Sequence, residues 1–188
     1  MSAPPPAKLL VGAIIADSKA WAAAEADLEE AFGPFDPRLL AMPFDHSTYY
    51  REEMGGPLLR VFRVLRDPVP QDALAAAKLR TIGIEARHAD RAGAAPRRRV
   101  NLDPGILHLA GLVLATTKGF AHRVYLGSGI HAEPELVWRG EGFHPLPWTY
   151  PDYAHPEALA FFREVRADWK RELRRCGEGC AREVPSCC

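Results

Sequence analysis

Cysteine is absent before residue 176, and all four, Cys176, Cys180, Cys187 and Cys188, crowd into the end of the chain. A disulfide framework distributes its cysteines through the fold, so none is expected here. The C-x3-C pair followed by CC has neither the spacing nor the neighbouring histidines of a zinc finger. Net charge is also missing: 24 Lys and Arg balance 24 Asp and Glu. No overall field draws in nucleic acid or an anionic membrane, so nucleic acid is not an expected partner. No run of about 18 apolar residues is present, which excludes a membrane-spanning helix. The opening MSAPPPAKLL lacks the basic start and apolar run of a secretory leader, and a cytoplasmic location is expected.

Several familiar chemistries are missing too. There is no G-x-x-x-x-G-K-[ST] loop for phosphates, no G-x-S-x-G elbow and no H-E-x-x-H pair, and the body has no cysteine nucleophile. The glycines around Gly127 have neither the dinucleotide fingerprint nor its strand–helix setting. No metal site is assigned, and the sequence leaves any cofactor unknown.

What is present is globular. Apolar residues make up 47% and charged residues 26%, enough to bury a core in one domain. That domain is expected over residues 8–173, after a Pro-rich start at 1–7 and before a flexible cysteine-containing tail at 174–188.

Residues 8–16 (KLLVGAIIA) read as a buried central strand. Asp17 and Ser18 can cap a helix carrying Trp21, Leu28 and Phe32, ended by Gly33-Pro34. Strands follow at 38–44 and 58–66, then a helix from about Gln71 with Ala75, Leu79 and Ile82 as its stripe. After a loop at 91–96, RRRVNL at 97–102 is a short strand. Asp103-Pro104 has the form of a helix start, and residues 106–115 are apolar nearly all round, which predicts a buried helix. Gly127-Ser128-Gly129 marks a hairpin between 122–127 and 130–138, with Pro134 calling for an edge or a bulge. Pro156 opens a last helix whose Phe162, Val165, Trp169 and Leu173 share a face.

The expected class is therefore α+β: a mixed sheet with a ferredoxin-like βαββαβ start, then a buried helix, a β-hairpin and a C-terminal helix.

Four segments together carry a family likeness: FDHSTYYREEMG at 44–55, RRVNLDPG at 98–105, LVLATTKGFAHRVYLGSGI at 112–130 and PLPWTYPDY at 145–153. In these, and over about residues 8–173, the chain resembles the prokaryotic family called domain of unknown function 4416. The resemblance implies no established activity. Some members bear the label "GTP-binding protein", which no Walker-type loop supports here. His46 stands where the family more often has an apolar or aromatic residue, and Pro134 interrupts a usually regular strand.

Four constellations could carry chemistry. Arg97–Arg99 lead through Asn101 to Asp103, where Arg99 and a helix N-terminus would suit an anion. Lys118, His122 and Arg123 could grip a phosphoryl or carboxylate group, with His122 or Asp103 handling protons. Asp45, His46 and Tyr49 follow a strand, a common place for ligand-binding loops. Trp148 and Tyr150 lie in a Pro-fixed connector that can stack on a base or sugar, or clamp the sheet. Each has a plainer structural reading as a cap, a solvated face or a packing element. The functional expectation is a protein that binds or acts on a small anionic, phosphate- or nucleotide-like ligand, with Glu133 and Asp152 also near predicted element ends. The alternative is a non-catalytic interaction or assembly module, its protein partner docking around Trp148 and Tyr150. Whether the chain is an enzyme is not fixed by the sequence.

Overall fold

The first strand, β1 (Ala7–Ile15), is buried at all nine positions, Lys8 included, and from Leu9 onward it is an apolar run suited to a central place in the sheet. Both of its faces are covered because it lies mid-sheet. This computed structural model describes residues 4–45, 48–92 and 96–180, so His46, Cys187 and Cys188 lie outside it. Helix α1 (Ser18–Phe32) follows β1 directly. Asp17 caps it, accepting from the Lys19 N–H at 2.7 Å. Gly33 ends it at φ +95°, a conformation that favours glycine.

The chain continues through β2 (Phe35–Phe44), a short helix α2 (Thr48–Met54), β3 (Leu58–Val69), α3 (Leu74–Arg87) and β4 (Val100–His108). Then come β5 (Gly111–Thr116), β6 (Val124–Gly127), β7 (Ile130–Arg139), β8 (Gly142–Pro145) and α4 (Pro156–Cys180). The strands form one eight-stranded sheet ordered β2-β3-β1-β4-β5-β7-β6, with β8 also on β7. Its first four strands have the ferredoxin-like order that the sequence predicts.

Alternation along the strands makes two cores. Leu9, Val11, Ala13 and Ile15 face α1 and α3, which bring Trp21, Leu28 and Ile84. Leu10 and Phe62 face the other way, against Phe161, Phe162 and Val165 of α4. Tyr153, fully buried, joins this second core with its ring 4.9 Å from that of Phe62.

Two expectations are corrected. The sheet is not mixed, because every pairing of its strands is antiparallel. The buried helix expected from Asp103 is a hairpin instead: β4 and β5 pair from Gly105↔Leu114 to His108↔Gly111. Ile106 enters the first core and Leu107 the second, so both faces of the hairpin are apolar, and helical periodicity cannot be told from strand alternation. Asp103 is consequently a mid-strand residue and caps nothing. Pro134 does mark a bulge: Leu112 pairs with Leu136 but Val113 with Pro134, leaving Glu135 as the extra residue. The last helix starts at Pro156 and continues to Cys180, past the expected end at 173.

Candidate functional site

Beyond Gly105, strands β4 and β5 part. The β4 segment that holds Leu102 and Asp103 keeps its pairing with β1 but has no partner in β5, while Ala115 and Thr116 pair onward with β7. A strand opened in this way leaves main-chain groups to be satisfied from elsewhere. Helix α3 supplies them. Lys78 Nζ donates to the Leu102 carbonyl at 2.8 Å, and Glu85 Oε1 accepts from the Leu102 N–H at 2.6 Å. Pro104 has no N–H to lose, which suits a strand that is locally an edge. The fork opens into a cavity of about 340 Å³, lined by residues of α2, α3 and strands β2, β3, β4, β5 and β7 together with the connector after β8.

Asp103 is among its lining residues. It accepts from Asn101 Nδ2 at 2.8 Å and from Lys78 Nζ at 3.2 Å, with Arg60 Nη1 3.5 Å away. Burial opposes its charge, but Lys78 and Arg60 outweigh that and hold the carboxyl below the usual carboxylate range. Asp103 is thus an ionised acceptor. Arg60, 3% exposed, donates through Nε to Asp152. Its burial works against charge, yet Asp152 and Asp103 keep it protonated.

Arg98 ties α2 to this network. It donates to both oxygens of Glu53, at 2.7 and 2.6 Å, and to Asn101 Oδ1 at 2.6 Å. Its guanidinium lies 5.5 Å from the Tyr50 ring. On the opposite wall Glu133, 1% exposed, accepts from Arg123 Nε and pairs with His122 Nε2, both at 2.8 Å. Glu85 is different: burial pushes its carboxyl up, opposed by Lys78 and the Leu102 N–H.

Five of the residues expected from the sequence meet here: Tyr49, Asn101, Asp103, Lys118 and Tyr150 all line the cavity. Glu133 and Asp152 line it as well. Others do not. Arg99 turns outward to the N-cap Asp17, because it alternates with Arg98. Arg123 was expected to bind an anion and His122 to handle protons, but both precede β6 in a turn, close on Glu133 and do not line the cavity. Trp148 stacks on His122, with ring centroids 4.4 Å apart, and donates Nε1–H to Pro134 O at 2.7 Å. It is a clamp on that ion pair. Asp45 follows β2 at an exposed position and does not line the cavity. Lys118 ends no helix; it stands in the loop after β5, its ammonium 5.6 Å from the Tyr49 ring.

Arg60, Lys78 and Glu85, which also line the cavity, were not anticipated. A signal existed for the helix pair. Leu74, Ala77, Lys78, Thr81, Ile84 and Glu85 are the buried positions of α3, so two charges stand on the stripe that meets the sheet. Among the described residues no group of three or more His, Cys, Asp or Glu side chains could hold a metal ion.

The model of a family described as Domain of unknown function (DUF4416) matches residues 5–169, nearly the whole domain. The chain belongs to this family. The four segments that suggested it, at 44–55, 98–105, 112–130 and 145–153, all contribute to the cavity wall, through Tyr49, Asn101, Lys118 and Tyr150 among others. No curated protein and no solved structure matches the chain. No helix among the described residues is long and apolar enough to cross a membrane.

Proposed function

We propose that this chain binds a small anionic ligand, phosphate-bearing or nucleotide-like, in the fork between β4 and β5, and does so in the cytoplasm. One observation carries the reading: each lining carboxylate is held by a protein donor through at least one oxygen, and two lining cations are not fully engaged. Asp103, Asp152, Glu85 and Glu133 each have a donor from the protein itself. Arg60 spends Nε on Asp152 and turns Nη1 toward Asp103, while Nη2 has no hydrogen-bond partner among the described residues. Lys118 Nζ has no carboxylate partner among them.

A paired carboxylate repels a ligand far less than a free one, and an unpaired guanidinium edge at the buried end attracts an anion strongly in low dielectric. The cavity, at about 340 Å³, falls within the range of small-molecule sites, about 300–1,000 Å³.

The test is a melting screen of the purified protein against inorganic phosphate, sugar phosphates and nucleotides, repeated with Lys118→Met. A ligand that binds only the folded chain raises Tm with concentration. The expected result is a rise with phosphate compounds that shrinks in Lys118→Met, corresponding to about tenfold weaker binding for one lost charged contact. A rise that persists unchanged in the variant removes Lys118 from the site.

A second reading, an interaction module, is favoured by the sheet edge at β6. Phe120, Val124, Tyr125 and Leu126 are all exposed there, Phe120 by 69%. An extended strand of a partner chain would pair with that edge. Lys substitutions at Val124 and Leu126 that abolish a co-purifying partner without changing any ligand-induced melting shift would support it.

A further inference from the structure

We infer that the ligand of the fork is a phosphate ester of a polyhydroxylated carbon skeleton, a sugar phosphate or the ribose phosphate of a nucleotide, and not a bare anion. This rests on the anion-binding reading and adds to it the chemistry of the ligand's other end.

The wall leaves two carboxylate oxygens unused. Glu85 commits one oxygen to the Leu102 N–H, and Asp152 commits one to Arg60. Neither second oxygen has a donor among the described residues. Both residues line the cavity although Glu85 is 8% exposed and Asp152 1%. A carboxylate oxygen on a cavity lining without a protein donor takes its donor from whatever fills the cavity, and a ligand hydroxyl is a natural neutral donor for it. A ligand that brought only negative charge would leave these acceptors unsatisfied and set them against it. A ligand that brought an amine would meet Arg60, Lys78 and Lys118. Hydroxyl donors beside an anionic group satisfy both sets at once.

The layout agrees. Arg60 is buried and its Nη1 has no hydrogen-bond partner, and Lys118 is exposed at the rim. Tyr49 and Tyr150, 56% and 39% exposed, add aromatic surface to the same wall. Aromatic faces pack against the C–H surface of a sugar ring or against a base. The sources of the chemistry differ only in what extends past the sugar.

Titration calorimetry on the full chain separates the claims with four probes: inorganic phosphate, methyl phosphate, ribose 5-phosphate and adenosine 5′-monophosphate. Ribose without phosphate is the control. Ribose 5-phosphate is expected to bind at least tenfold more tightly than methyl phosphate, which has the same anionic group and no hydroxyl. Equal binding by methyl phosphate and ribose 5-phosphate overturns the inference and leaves the anion reading standing. Failure of every phosphate probe overturns both. Tighter binding of the nucleotide than of ribose 5-phosphate assigns the aromatic wall to a base, and equal binding assigns the site to the sugar phosphate itself. In Glu85→Met the advantage of ribose 5-phosphate over methyl phosphate is expected to narrow several-fold, whereas Lys118→Met weakens both together. The wild-type comparison decides the question even where Glu85→Met does not fold.

Discussion

Lys78 donates its ammonium to the carbonyl of Leu102 at 2.8 Å, so a helix on one face of the sheet completes the hydrogen bonding of a strand that has parted from its neighbour. The same ammonium reaches Asp103 at 3.2 Å. Lys78→Met keeps most of the volume and removes both contacts. It is expected to destabilise the chain by about 2–3 kcal/mol in urea unfolding, the scale of charge-assisted hydrogen bonds in a buried setting. A loss under about 0.5 kcal/mol would mean that the opened strand does not depend on α3.

Gly12 and Tyr153 make a sharper pair. A Cβ at Gly12 would overlap the Tyr153 hydroxyl and come within 3.2 Å of Arg60 Nη1. That hydroxyl is buried without a hydrogen-bond partner. Gly12→Ala is therefore expected to cost about 1–3 kcal/mol by overpacking. Tyr153→Phe alone should be neutral or slightly stabilising, and combining the two should recover most of the loss. Thermal unfolding of the four proteins checks this. A strongly destabilising Tyr153→Phe would show that the hydroxyl has a partner.

Glu135 sets a pH dependence. It is fully buried, Oε2 accepts from the Tyr150 N–H at 3.1 Å, and Oε1 has no partner. Burial, with Glu133 and Asp152 nearby, pushes its carboxyl from 4.5 up to about 8 against the pull of that N–H. Between these values the unfolded chain releases a proton that the folded chain keeps. Stability should fall as pH rises through that window, by at most about 1.4 kcal/mol per unit. Glu135→Gln resembles the protonated form and should flatten the slope while costing little at pH 7. Denaturation between pH 5 and 8 measures it; an unchanged slope would place the titration elsewhere.

The local signals that the sequence expressed strongly were readable. The run at 8–16, the cap at Asp17, the stop at Gly33, the bulge at Pro134 and the start at Pro156 each follow from one residue type in one setting. The hairpin at 100–116 was not. Asp-Pro before an apolar run is a sound helix signal, and it loses here because both faces of the hairpin are covered and its turn at Leu109-Ala110 has no Asn-Gly or Asp-Gly mark. Pro104 within a strand becomes intelligible only once the fork makes β4 an edge at that point. That same opening assembles the cavity. Half of the residues expected for the site, Tyr49, Asn101, Asp103, Lys118 and Tyr150, therefore do line it, but their meeting depended on a parting of strands that no short motif encodes. The arginine at position 60 was masked by a strand whose alternation LLRVFRVLR suggests that its arginines face solvent, whereas Tyr153 and α4 cover that face and bury Arg60.

The location of a bound anion is the most direct measure of the account. Crystals of the full chain soaked in tungstate, an anion of phosphate shape with a strong anomalous signal, would show where it settles. The account predicts a peak inside the fork, within hydrogen-bonding reach of the Arg60 guanidinium and absent in Lys118→Met at the same concentration. Anomalous density confined to surface arginines, with the fork empty of tungstate, would contradict it.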